Sequence, residues 1–489
     1  MNVVRVVAEF IWGYSTSLCM ATRSSDHANV SRKRATIFDR SSFAPGCARK
    51  LIRLPFMAIA LLVTGCATTE NKMNTELESH QRYASGDKAV AGYRHDEATQ
   101  FIEFCVELDN QDDRLTHPND QVLRAQIDPT LWVPVFDSRD AVAHDTVTYF
   151  NHLSDPDALH WGKLFDEIIK NTKHKHPTGW NAIDIAQDPD LNGFGPWQNA
   201  WILYEGQGSF AGSYAIAIRG TVFSNKPSVA EDAWFHAVVA KEFLSKSVSF
   251  ADFDGAALHS GFTHATFTLL LDKRYGILAE LERRNLAANS RLYIVGHSQG
   301  AAMATLTHAF LHYAMRHDNE SAPVLGLNNK NFKLKSYAIA QPKPGNYAFA
   351  ADFASITQQT DNAIVINNHI DPVPKVPLTL EGSGDLEDDF RGSSFAVRSL
   401  HFVAGFGKSV RGGIAWMAEP FVKDSAKGYS YFYHYDQLKP IGEDQTAASW
   451  HFVPAGRVLL VFGHPGDPED LFFQHHATTY RELIRAQLR

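Results

Sequence analysis

The tightest constraint on this chain lies between Arg291 and Arg316. Arg291-Leu292-Tyr293-Ile294-Val295 has the apolar, partly β-branched character of a short buried strand, and Gly296-His297-Ser298-Gln299-Gly300 follows it directly. From Ala301 to about Arg316 the apolar residues Met303, Leu306, Phe310 and Met315 then recur at helical spacing. A serine at so tight a strand-to-helix turn is forced towards positive φ, which lifts its hydroxyl out of the sheet. The flanking chain segments come so close there that a Cβ at either side would clash, hence glycine at 296 and 300. The N-terminus of the following helix points its free N–H groups at any anion that forms beside the serine.

A nucleophilic serine needs a base and an acid that orients the base. Ala363-Ile364-Val365-Ile366-Asn367 reads as a strand leading through Asn368-His369-Ile370 to Asp371-Pro372-Val373-Pro374, and Asp371 is the first acid after it. An Asp before Pro also initiates turns, so its local context alone leaves both roles open. The chain contains 23 histidines. The base belongs beyond Asp371 on a terminal loop, and Gln474-His475-His476-Ala477-Thr478-Thr479-Tyr480 fits, following the strand candidate Val458 to Phe462 and opening the last helix. His451 and His464 compete with it.

From about Trp201 to Arg489 the sequence resembles the class 3 lipases, a branch of the α/β-hydrolases. Five blocks in the family order carry the resemblance: Ile216-Ala217-Ile218-Arg219-Gly220-Thr221, Leu258-His259-Ser260-Gly261-Phe262, Gly296 to Gly300, Gln341-Pro342-Lys343-Pro344-Gly345-Asn346, and Asn368 to Pro374. It implies an α/β fold with a mostly parallel central sheet flanked by helices. It also implies cleavage of carboxylic esters, lipids above all, through an acyl-serine, with Ser298 as nucleophile and Asp371 as acid. Thr221 and the backbone N–H of Gln299 would form the oxyanion hole. Family members commonly carry a histidine five residues before a tyrosine of the last helix, which selects His475 over His476. Two departures stand out: Gln299 occupies a position where leucine is frequent, and an insertion at about 379–450 separates acid from base. A phospholipase A or lipid acyltransferase using the same triad, or an inactive surface-binding lipoprotein, would share these residues.

The N-terminal region reads as an address. Arg49, Lys50 and Arg53 precede an apolar run from Leu54 to Val63, ten residues long, about half of what spans a bilayer. The run ends in Val63-Thr64-Gly65-Cys66, which resembles the lipobox of bacterial lipoproteins. That resemblance implies removal of residues 1–65, acylation of Cys66 and lipid anchoring in a bacterial cell envelope, at the outer membrane or cell surface. Residues 67–100 are polar and read as a tether, and 101–195 as a leading segment of the main domain, which starts near 196, or as a small cap. The formal charge of −8 removes the electrostatic basis for nucleic-acid binding. Four cysteines, at 19, 47, 66 and 105, are too few and too scattered for a disulfide scaffold.

Ser228-Val229-Ala230-Glu231 has a capping-box pattern and predicts a helix with Phe235, Val238, Val239 and Phe243 on one face, either a lid or a core-facing helix. Arg391 to Met417 is basic and apolar without an acidic residue, which suits a membrane-facing cap or packed helices. The histidines form no H-E-x-x-H, and His174-Lys175-His176 lacks carboxylate or cysteine partners at ligand spacing, so neither metal nor cofactor is expected.

Overall fold

The computed structural model describes residues 91–109, 123–144, 197–222, 226–241, 249–272, 275–316, 325–377, 452–464 and 472–488. Cys66 and its leader, residues 379–450 with the basic apolar stretch, His174, His176 and His451 lie outside the described residues.

Seven strands form the central sheet in the order β1 (Trp132–Asp137), β2 (Trp201–Gly206), β3 (Ser213–Ile218), β6 (Arg291–His297), β7 (Lys333–Ile339), β9 (Ala363–Asn368) and β11 (Arg457–Val461). The five from β3 onwards run parallel, whereas β1 and β2 are antiparallel additions at one edge. Parallel strands between helical layers bury both faces, which is why β6 and β9 read as unbroken apolar runs. In β6, Leu292 and Ile294 enter one core while Tyr293 and Val295 enter the other. This is an α/β-hydrolase architecture.

The first core is closed by α4 (Ser260–Leu271), α5 (Ile277–Arg283), α6 (Gln299–Ala314) and α7 (Tyr347–Thr357). The second is closed by α1 (His95–Asp109) and α8 (Ala477–Gln487). Helix α1 starts inside the stretch expected to be a tether, and it buries Phe101, Ile102, Phe104 and Val106 completely. Phe104 stacks on Tyr204 of β2 with ring centroids 3.9 Å apart, and Phe101 packs against Tyr293 at 4.8 Å. Buried Glu97 accepts hydrogen bonds from the hydroxyls of Tyr293 (2.8 Å) and Tyr337 (2.7 Å), and Glu103 pairs with Arg485 of α8. The sheet and its covering layer therefore begin well upstream of residue 196. Strand β1 accommodates Pro134 because it lies at the sheet edge, where a missing donor costs no ladder bond.

One expected helix is corrected. The helix near Ser228, α3, spans Lys226–Ala233 and stops before Phe235. Val238 and Val239 instead belong to β4 (Ala237–Val239), with Val238 buried and Val239 exposed as strand alternation requires. β4 pairs with β5 (Ala257–His259) in a second, antiparallel sheet with β8 (Gly345–Asn346) and β10 (Phe452–Val453). A spacing of i, i+3, i+4 fits a helix, but pairing with a partner 20 residues along decides the outcome. The capping box does not form either: the Ser228 hydroxyl accepts from Val222 N–H (3.1 Å), and Glu231 turns into the core. Phe243 lies outside the described residues.

Residues 341–343, just after β7, hold the points where the chain departs after Val376 and returns near Ala455. Lys343 N–H donates to Val376 O (2.9 Å), and the Gln341 side chain bonds both backbone groups of Ala455 at 3.0 Å.

His308 of α6 is fully buried with Nδ1 2.9 Å from Ser336 Oγ, and burial pushes its imidazole down to about 3. Its folded value lies below the unfolded one, so its contribution is present above about pH 6.5 and is lost as the pH falls towards 3. Urea titrations between pH 7 and 4 are expected to lose stability less steeply for His308→Gln than for the wild type, by up to about 1.4 kcal/mol per pH unit. Parallel slopes would contradict the buried neutral imidazole.

Candidate active site

Ser298 stands between β6 and α6 with φ 58° and ψ −132°, the strained turn expected from the sequence. Both neighbouring glycines are required by contact. A Cβ on Gly296 would lie 2.1 Å from Gly300 O, and one on Gly300 would lie 2.3 Å from Ile218 O. The turn is held from the sheet by Ser298 N–H donating to Ile339 O at 3.0 Å. The N–H groups of Gln299 and Gly300, the first two of α6, have no acceptor within the helix, whereas Ala301 N–H donates to Ser298 O at 2.9 Å.

Three side chains far apart in sequence converge here. His475 Nε2 lies 2.8 Å from Ser298 Oγ, and its Nδ1 lies 2.8 Å from Asp371 Oδ2. Ser298 is 5% exposed, His475 2% and Asp371 0%. The other Asp371 oxygen accepts from Val373 N–H (2.9 Å), the bond that the proline-bracketed turn makes possible. His475 occupies a short 3-10 turn, Phe473–His475, whereas His476 is the N-cap residue of α8 and takes no part. His464 is described but bonds neither Ser298 nor Asp371.

Tyr480, which the sequence marked only as a spacing signal, is part of this arrangement. Its hydroxyl donates to Asp371 Oδ2 (2.8 Å) and accepts from Asn368 N–H (2.8 Å), and burial beside that carboxylate pushes the phenol well above its usual range. Asn368 secures the histidine loop: its Oδ1 accepts from Gly463 N–H (3.0 Å) and its Nδ2 donates to Gln474 Oε1 (2.8 Å).

On the opposite side of Ser298 lie the expected oxyanion donors. The Thr221 hydroxyl donates to Asp232 Oδ2 at 2.7 Å, and burial pushes Asp232 up to about 8. The Gln299 side chain donates to Glu231 Oε2 at 3.2 Å, and Glu231 Oε1 meets His264 Nδ1 at 2.6 Å. Burial raises the Glu231 carboxyl well above the usual range and lowers His264 to about 3, which favours the uncharged form of each. The polar residue found where leucine is frequent thus has a buried partner. Glu231, Asp232 and Asn368 were not singled out for these roles. A hydrophilic residue at 299 was the one local signal, since its amide must be satisfied if buried. Among the described residues no group of three or more His, Cys, Asp or Glu is placed to hold a metal ion.

Residues 215–381, about a third of the chain, match the family model described as lipase (class 3). On that match the chain is a carboxylic ester hydrolase. No curated protein matches it. Similar solved structures include M37 lipase, 18% identical over 59% of this chain and 73% of that one, with a TM-score of 0.36. The N225Q mutant of MDLA from Penicillium cyclopium is 27% identical over 37% of this chain and 53% of that one, TM-score 0.26. The Rhizomucor miehei lipase–propeptide complex is 20% identical over 50% and 66%, TM-score 0.27.

Tyr480→Phe is expected to destabilise the protein by about 1–3 kcal/mol, because the Asn368 N–H loses its acceptor, and to lower kcat more than it raises KM. Thermal melts with ester kinetics check this; an unchanged melting temperature and kcat would refute the role.

Proposed function

We propose that this carboxylic ester hydrolase of the class 3 lipase type cleaves lipid esters through an acyl-serine on Ser298. The observation that carries the reading is the unbroken pair of 2.8 Å contacts from Ser298 Oγ through the His475 ring to Asp371. In this mechanism His475 Nε2 takes the hydroxyl proton as Oγ attacks the ester carbonyl. Asp371, already fixed by Val373 N–H and Tyr480 OH, holds the ring and stabilises its cation. The oxyanion faces Thr221 and the backbone N–H of Gln299, the first residue of α6. His475 then returns the proton to the leaving alcohol, and water repeats the sequence to free the acid. Removing one oxyanion donor typically costs about 2.7–4 kcal/mol of transition-state stabilisation. No resident metal or cofactor is needed for these steps.

The lipobox-like Val63-Thr64-Gly65-Cys66 supports anchoring to a bacterial cell envelope by acyl chains on Cys66. Mass spectrometry of the mature N-terminus should find acylated Cys66, and an unmodified N-terminus elsewhere would refute the anchor.

A chain-length series of esters, run on the native protein and on Ser298→Ala, tests the reaction. Activity is expected to fall at least about 10³-fold in the variant, with long acyl chains preferred by the native protein. Hydrolysis that survives in the variant would overturn the nucleophile, and a preference for acetyl esters would overturn the lipid assignment. Transfer of acyl groups to an added alcohol in place of water would move the reading to an acyltransferase.

A further inference from the structure

Asp109 is the last residue of α1, the wrong end of a helix dipole for an anion, yet its side chain is only 14% exposed. Its two oxygens reach two different segments. Oδ1 accepts from Gly220 N–H at 2.9 Å, and Oδ2 lies 2.7 Å from His297 Nδ1. Gly220 immediately precedes Thr221, and His297 immediately precedes Ser298. The three segments are in direct contact, because a Cβ on Gly220 would meet His297 O at 2.8 Å, Ser298 Cβ at 3.1 Å and Asp109 Oδ1 at 3.3 Å. The His297 ring in turn lies 4.8 Å from that of His475 and 5.7 Å from that of Tyr480.

We infer that Asp109 is a positioning residue for the hydrolytic reaction, supplied by a helix outside the family-matched segment 215–381, which fixes the oxyanion strand end against the serine turn. This rests on the Ser298 mechanism proposed above. β3 leaves the sheet after Ile218, its last residue paired with β6. The Gly220 N–H beyond it has no ladder acceptor, and Asp109 supplies one. Oxyanion donors act within a few tenths of an ångström of their ideal distance, and a misplacement of about 1 Å can cost 10²-fold in rate. Without the carboxylate, the Thr221 side of the hole is free to drift from Ser298, and a donor that acts on the transition state alone changes kcat rather than KM. The effect therefore falls on kcat.

The test uses the full chain, with kcat and KM on a p-nitrophenyl ester expressed per active site titrated by a fluorophosphonate. Asp109→Ala is expected to lower kcat about 10- to 100-fold with KM within about 2-fold. Asp109→Asn keeps a carbonyl oxygen for Gly220 N–H and is expected to recover most of that loss. Should Asp109→Ala fail to fold, Asp109→Glu carries the test: it keeps the charge but displaces the acceptor by one methylene, and kcat is expected to fall at least about 5-fold. A kcat within 2-fold of wild type in Asp109→Ala or Asp109→Glu, a loss confined to KM, or no recovery in Asp109→Asn would each overturn the assignment. Ser298→Ala separates the two readings. If it abolishes hydrolysis while the Asp109 variants keep kcat, the positioning role alone fails; if it remains active, the mechanism and this role fail together.

Discussion

The strained backbone of Ser298 is the constraint on which the rest of the molecule depends. A residue with a side chain at φ 58° is disfavoured on its own, so the surroundings must hold it there. β7 does so through the Ile339 carbonyl, and the bare glycines at 296 and 300 let α6 and β3 close on the turn. The strain is local, but its support comes from the whole parallel sheet. A turn that projects one hydroxyl above the strand ends is useful only if the strands beneath it cannot shift.

Two groups of side chains meet around that hydroxyl. The face covered by α1 and α8 delivers the imidazole, its carboxylate and the phenol of Tyr480. The opposite side, at the end of α3, carries Glu231 and Asp232, adjacent in sequence, which hold Gln299 and Thr221 respectively. In the proposed mechanism these two groups of side chains act on Ser298 from opposite sides, and Asp109 of α1 reaches across to Gly220 beside Thr221.

What was legible in the sequence was what short-range sterics and chain order express. The glycines around Ser298 announce the turn because nothing larger fits, and the prolines that follow Asp371, at 372 and 374, announce a fixed loop after β9. The contrast between His475 and His476 was harder, because adjacent residues differ only in which way the 3-10 turn aims them, and the resemblance supplied the choice. Phe235 to Val239 was misread because its spacing suits two secondary structures, and the deciding partner, β5, lies elsewhere in the chain. Asp109 was invisible for a stronger reason: it is 111 residues from Gly220, and no local pattern distinguishes it from any other acid at the end of a helix.

The anchoring of Val376 and Ala455 by Gln341 and Lys343 has a wider meaning. The long excursion between those points begins and ends on fixed posts, and Asn368 separately secures the loop that brings in the imidazole. Both ends of that stretch are therefore tied to the end of β7, independently of the contacts that hold the loop carrying His475.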